Sequence, residues 1–206
     1  MQGFVFLKAK EMNFCIFFHS KLISLTNAAN FDPHNNTKSM LNIRPATEND
    51  IPFITEVYND AILNTVATFD TEIKTVEDRL QWFKKHDEKH PVLIAEKEGE
   101  QLGWSSLTMW SDRCAYDGTA EVSVYVHKDH RGKGVGKKLL ELLIAEGQSA
   151  GLHYLLSRIS QGNEASIYIH ELLGFSHIGV MHEVGFKFGK YIDVHMMEKV
   201  FKKIDS

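Results

Sequence analysis

The chain has 206 residues, 43% of them apolar and 24% charged, the balance of a globular domain with a sizeable core. A net charge of −4 argues against a protein built to coat nucleic acid, and two cysteines, Cys15 and Cys114, make neither a disulfide framework nor a Cys-x-x-Cys metal pair. No apolar run reaches the ~18–20 residues of a membrane helix, and a reducing, cytoplasmic setting is expected.

Residues 1–39 read as an N-terminal extension. Their apolar patch, Phe14 to Phe18, is too short for a signal-peptide core and is followed by His19 and Lys21. Asn27 to Asn36, with Pro33 and four asparagines, reads as linker. The extension is either an appended arm or a translated upstream stretch, and the working domain spans residues 40–206. Leu41 to Arg44 is strand-like. Thr47 with Asp50 three residues on opens a helix carrying Ile51, Ile54, Val57, Tyr58, Ala61 and Ile62 at helical spacing. Thr75 with Asp78 opens a second helix through Phe83. Pro91 to Glu96 and Leu102 to Trp110 make a hairpin around Glu98-Gly99-Glu100, and Thr119 to His127 alternates as a strand. Then follow a helix over Lys137 to Ser149 closed by Gly151, a strand over Tyr154 to Ile159 and a helix over Glu164 to Leu173. A final hairpin pairs Phe175 to Val184 with Lys190 to Val200. The order predicts one domain of α/β (α+β) class, with a mixed, largely antiparallel central sheet flanked by helices.

The most informative stretch is Glu121-Val-Ser-Val-Tyr-Val-His-Lys-Asp-His-Arg-Gly-Lys-Gly-Val-Gly136, which runs directly into the helix beginning Lys137-Lys-Leu-Leu. A strand ends, Gly132, Gly134 and Gly136 form a turn, and a helix starts. Glycines leave backbone N–H groups free to converge, and the helix start adds unpaired N–H groups and partial positive charge. Such a turn suits a phosphate or pyrophosphate, beside the charges of Arg131, Lys133, Lys137 and Lys138. Neither a P-loop nor a dinucleotide fingerprint fits, because each fails on its spacing at Lys137.

Arg131-Gly-Lys-Gly-Val-Gly136 instead resembles the Arg/Gln-x-x-Gly-x-Gly/Ala signature of the GNAT superfamily of N-acetyltransferases. Asn163-Glu-Ala-Ser-Ile-Tyr-Ile-His-Glu-Leu-Leu-Gly-Phe175 is similar to the second half of that family's cofactor site. Arg113-Cys-Ala-Tyr116, Glu121 with Ser123-Val-Tyr-Val126, Thr68-Phe69 and Gly185-Phe-Lys-Phe-Gly-Lys-Tyr-Ile-Asp193 narrow the resemblance to the phosphinothricin and amino-acid N-acetyltransferases, over Met40 to about Phe201. Gly118 and Ile73 depart from that group, where a bulky aromatic and a proline are common.

The resemblance implies acetyl-CoA as co-substrate and no metal. The pyrophosphate would lie on Arg131, Gly132, Lys133, Gly134, Val135, Gly136 and Lys137, and the pantetheine arm along Val124, Tyr125 and Val126 and against Asn163 and Ser166. Glu121 would be the general base, directly or through a water. His170 would shuttle a proton or pack as a helix histidine. Arg113 would grip a substrate carboxylate with its guanidinium fork, with Phe69 and Tyr116 lining the substrate pocket. The implied reaction acetylates the α-amine of a small amino-acid-like substrate of the phosphinothricin or methionine sulfone/sulfoximine type. An acetyltransferase for protein N-termini or lysines would want an open groove, and a non-catalytic acetyl-CoA sensor would need neither Glu121 nor His170. Neither a nucleic acid nor a membrane is expected as a partner. A homodimer is expected from the resemblance and the apolar hairpin from Ile178 to Val200.

Overall fold

Alternation and helical spacing translate into the elements they predict. The computed structural model describes residues 40–201, so the extension expected over 1–39 lies outside the described residues. Strands β1 (Asn42–Pro45), β2 (Val92–Lys97), β3 (Glu100–Met109), β4 (Thr119–Val126), β5 (Tyr154–Ser160), β6 (Ser176–Lys187) and β7 (Lys190–Val200) form one seven-stranded sheet. Helices α1 (Ile51–Asn64), α2 (Val76–Phe83), α3 (Val135–Ser149) and α4 (Glu164–Leu172) flank it. The strand order is β1-β2-β3-β4-β5-β7-β6, antiparallel except where β4 meets β5. Among the described residues no helix is long and apolar enough to cross a membrane.

The sheet separates two cores. Strand β2 is buried on both faces, which is why Val92-Leu-Ile-Ala95 reads as an unbroken apolar run. Leu93 and Ala95 join Leu107, Ala120, Leu139, Leu140 and Leu143 under α3. Val92 and Ile94 join Ile51, Ile54, Val57 and Trp104 under α1. That second core is aromatic: Tyr125 stacks on Trp104 at 4.7 Å, and Arg79 of α2 lies 3.6 Å from the centre of the Trp82 ring. Burial lowers the Arg79 pKa to about 10. The start of α1 is tied to the first two strands through Arg44, whose guanidinium forks onto Asp50 at 2.8 Å twice and reaches Glu96 at 2.9 Å.

Most boundaries shift by a residue or two from expectation, and two of these shifts have a clear local cause. Helix α3 begins at Val135, two residues before Lys137, because Gly134 takes a left-handed φ of 82° and its carbonyl accepts the Lys138 N–H at 3.1 Å. Strand β6 continues past Val184 to Lys187 by bulging at Glu183, where φ is 50° and the register against β7 shifts. The Asp193 carboxylate accepts the Glu183 N–H at 2.7 Å, holding the bulge and keeping that carboxyl below its ordinary pKa.

The feature that positions the site is where β4 and β5 part. They pair in parallel only at Thr119–Tyr154, Ala120–Leu155 and Glu121–Leu156. Beyond Glu121, β4 pairs only with β3, and beyond Leu156, β5 pairs only with β7. The two strands splay and leave a wedge in the middle of the sheet.

Candidate active site

The wedge opens into a cleft of about 600 Å³. One wall is β4 from Glu121 to Tyr125, and the other is β5 from Ser157 to Ser160 with Asn163, Ser166 and His170 of the α4 region. Val66 to Asp70, which follow α1, and Met181 and Val184 of β6 cover it. This cover is tied down. The Ser160 hydroxyl donates to the Val66 carbonyl, and the buried Lys187 ammonium donates to the Thr65 and Thr68 carbonyls at 2.9 and 2.8 Å.

Alternation assigns each side chain a face. On β4, Ala120, Val122, Val124 and Val126 belong to the core beneath α3, so Glu121 points to the opposite face, as does Tyr125 among the aromatics. On β5, Leu155 and Ile159 join the α3 core, which turns Leu156, Arg158 and Ser160 toward the α1 side. Glu121 pairs with Leu156, and Arg158 is the next residue of β5 on that same face. Arg158 therefore reaches Glu121 across the start of the wedge: Nε to Oε1 is 2.6 Å and Nη2 to Oε2 is 2.8 Å. This bidentate contact occupies both carboxylate oxygens. Burial pushes the Tyr125 phenol well above its usual value, so its hydroxyl stays protonated.

His170 is 3% exposed and lies in the α4 wall. Its Nδ1 is 2.8 Å from the Ser166 carbonyl, which can only accept, so Nδ1 carries the hydrogen. In the neutral ring Nε2 is then the acceptor, and the Ser157 hydroxyl lies 3.0 Å from it. Burial lowers the His170 pKa, which keeps the ring neutral. Asn163 caps α4 by accepting the Ser166 N–H at 3.3 Å, leaving its Nδ2 donor for the cleft.

At the far end of β4, Gly132 and Gly134 hold φ values of 74° and 82°, and a Cβ on either would meet nothing within 4 Å. The first N–H groups of α3, at Val135, Gly136 and Lys137, have no partner within the helix, and Gly134 supplies no side-chain cap to them. Arg131 also makes contacts within the protein. Its Nε donates to the Val126 carbonyl at 3.1 Å and Nη2 to Asp60 of α1 at 2.9 Å, so it braces the turn against α1. Lys133 donates to the Asp129 carbonyl at 2.8 Å, and Lys137 is exposed.

The structure thus brings Glu121, Val124, Tyr125, Asn163, Ser166, His170 and Phe69 to one cleft. It does not bring Arg113 or Tyr116 there. Both sit on the exposed β3–β4 connection, at a short 3-10 turn over Cys114–Tyr116, outside the residues that line the cleft. The arginine in the cleft is Arg158, which sequence reasoning missed because nothing marks one basic residue of a strand except its register. Phe69 is 38% exposed and packs against Gly185 of β6, where even a Cβ would stand 2.1 Å from the ring.

A sheet split between two parallel neighbours, with a glycine turn and helix start at one end and a carboxylate at the fork, defines an acyl-transferring enzyme of the acetyltransferase fold. Residues 43–196 match the acetyltransferase (GNAT) domain, and the chain belongs to that family and is an N-acetyltransferase. It is 38% identical over 159 residues to the L-amino acid N-acyltransferase MnaT of Escherichia coli, covering 77% of this chain and 92% of that one. It is 40% identical over 158 residues to an L-methionine sulfoximine/L-methionine sulfone acetyltransferase of Pseudomonas aeruginosa, covering 76% and 92%. Among solved structures, that of yncA from Salmonella typhimurium with its cofactor acetyl-CoA superposes with a TM-score of 0.78 at 37% identity, covering 82% of this chain and 98% of that one.

Proposed function

We propose that this enzyme moves the acetyl group of acetyl-CoA onto the α-amine of a small amino acid of the methionine sulfone, methionine sulfoximine or phosphinothricin kind. The observation that carries the reading is Glu121, a cleft carboxylate at the last β4–β5 pair, immediately before the unpaired edge of β4. Residues of the cleft and of the glycine turn at the far end of β4 suit acetyl-CoA. The open glycine turn and free helix amides suit a pyrophosphate, the wedge edge at Val124 to Val126 suits an amide-bearing arm, and Asn163 offers its Nδ2. When bound, acetyl-CoA supplies the thioester: the amine nitrogen bonds to its carbonyl carbon, the C–S bond breaks, and the thiolate leaves with the second amine proton.

Glu121 performs the step that makes this attack possible. An amino-acid amine is an ammonium at neutral pH and has no lone pair until it loses a proton. Glu121 accepts that proton, directly or through a water, and later releases it to solvent. His170, neutral and engaged at both ring nitrogens, acts as a positioning residue that holds Ser157 and the Ser166 carbonyl of α4. The tied-down cover over Val66 to Asp70 favours a small amine over a protein chain. The exposed apolar residues of the terminal hairpin, Ile178, Val180, Phe186 and Tyr191, support a homodimer, which light scattering giving a monomer mass at micromolar concentration would exclude. The working domain is assigned to residues 40–206 and its setting to the cytoplasm.

Thiol release from acetyl-CoA against a panel of amino acids, methionine sulfone, methionine sulfoximine and phosphinothricin tests the substrate class. Glu121→Gln keeps size and hydrogen bonding but takes no proton, and kcat should fall roughly 10²-fold or more with acetyl-CoA affinity little changed. A variant of near-normal kcat removes Glu121 from the mechanism.

A further inference from the structure

We propose that Arg158 is the residue that reads the substrate's carboxylate, and that it does so by exchanging Glu121 for it. The inference rests on the reading of Glu121 as the group that receives the ammonium.

Arg158 is the only arginine or lysine among the described residues that line the cleft. Its guanidinium is fully spoken for by Glu121 along one edge, Nε to Oε1 at 2.6 Å and Nη2 to Oε2 at 2.8 Å. The other carboxylate of the cleft, Asp70, has partners of its own: it accepts from the Tyr58 hydroxyl at 3.0 Å and pairs with Lys74 at 3.1 Å. Before substrate arrives, the fork of the wedge therefore holds one negative and one positive group that neutralise each other. In that state Glu121 is already neutralised by the guanidinium, and each of its oxygens has given one of its lone pairs to Arg158, so an arriving ammonium must compete with the arginine for the carboxylate.

A bare amine that displaced Arg158 would leave a guanidinium without an anion. A zwitterionic amino acid does not. Its ammonium and carboxylate hang on one carbon, so its ammonium can take Glu121 while its carboxylate takes the same guanidinium edge. One ion pair becomes two, and the charge of the site stays balanced throughout. The exchange is easy to start, since the Arg158 side chain is 52% exposed and an ion pair in contact with water is weak. Trp110, whose ring centre lies 5.8 Å from the guanidinium carbon, keeps the arginine at the mouth of the cleft during the exchange. The proton then moves from the substrate nitrogen to Glu121, while Arg158 changes hydrogen-bond partner and nothing else.

This assigns specificity to strand β5 and not to the β3–β4 connection that the sequence points to. Arg113 lies on the exposed β3–β4 connection, whereas Arg158 faces the same side of the sheet as Glu121 and touches it.

The test compares methionine sulfone with its decarboxylated amine, 3-(methylsulfonyl)propylamine, in the wild-type chain and in Arg158→Ala, Arg158→Lys and Glu121→Gln. Arg158→Ala should raise KM for methionine sulfone about 10- to 100-fold, the range expected for losing a charge-assisted hydrogen-bond pair, with kcat and acetyl-CoA affinity nearly unchanged. The amine's kcat/KM should not fall, so the preference for the amino acid should collapse. Arg158→Lys keeps the charge without the fork and should give an intermediate KM. Equal losses for both substrates in Arg158→Ala would overturn the proposal, because they would mean that Arg158 only orients Glu121. An unchanged KM for methionine sulfone would overturn it too. Near-normal kcat in Glu121→Gln would overturn the exchange through failure of the base, a result separate from the KM comparison in Arg158→Ala.

Discussion

Replacing Gly185 with alanine should reshape the substrate side of the cleft through a single contact. The added Cβ would stand 2.1, 2.5 and 2.7 Å from three carbons of the Phe69 ring. Carbon atoms rest about 3.5–4.0 Å apart, so the ring must retreat by roughly 1.5 Å. Its backbone cannot readily follow, because Lys187 holds the Thr65 and Thr68 carbonyls and Ser160 holds that of Val66. The ring must therefore turn. Overpacking costs about 1–3 kcal/mol, and a partly exposed ring puts this case near the lower end, about 1 kcal/mol. In a chain of this size that is a Tm loss of roughly 2–4 °C. Because Phe69 lines the cleft, the KM of the amine should rise about fivefold, the equivalent of the same 1 kcal/mol, while that of acetyl-CoA should not. Phe69→Leu on the Gly185→Ala background should relieve the clash, giving a coupling of about 1 kcal/mol in a double-mutant cycle. Additive effects in that cycle, or an unchanged amine KM in the single variant, would refute the reasoning.

Gly134→Val should raise the acetyl-CoA dissociation constant at least about tenfold, some 1.4 kcal/mol, because a β-branched residue resists φ of 82° and its side chain enters the open space above the turn; unchanged binding by calorimetry would count against the turn as the pyrophosphate site. Asp50 supplies a pH dependence. Burial by itself would raise its carboxyl, but hydrogen bonds from Arg44 and Thr47 outweigh burial and hold the pKa below the usual value. The stabilisation is therefore complete above the ordinary carboxylate pKa of about 3.9 and is lost as pH falls through the lower folded value. Asp50→Asn should cost about 2 kcal/mol at pH 7 and flatten the decline of Tm in acid. Equal acid slopes in the two proteins would remove Asp50 from that decline.

Much of this enzyme is legible in the linear chain because its cues are local. The alternation of Thr119 to Val126 fixes which side chains of β4 share a face, and both faces of the sheet are announced by the unbroken apolar run of β2. The glycine turn from Gly132 to Gly136 lies within a few residues of the backbone groups it serves, so spacing alone places it, whereas Asn163 is marked only by the resemblance. Helix α3 starts two residues earlier than its lysines suggest for the same local reason, the left-handed Gly134.

What no spacing encodes is which distant side chains meet. Glu121 and Arg158 are 37 residues apart, and their fork exists only because β5 lies parallel to β4 in the register that pairs Glu121 with Leu156. Only the docking of α1 brings Asp60 against Arg131, and only the fold shows Arg113 on a connection outside the residues that line the cleft. Phe69 reaches Gly185 across more than a hundred residues of chain. In each case the side chain's chemistry was fixed by its type, but its partner was set by strand register and helix docking. Those are decided by the burial of the two cores as wholes, a non-directional force that leaves no mark at the polar residues it happens to bring together.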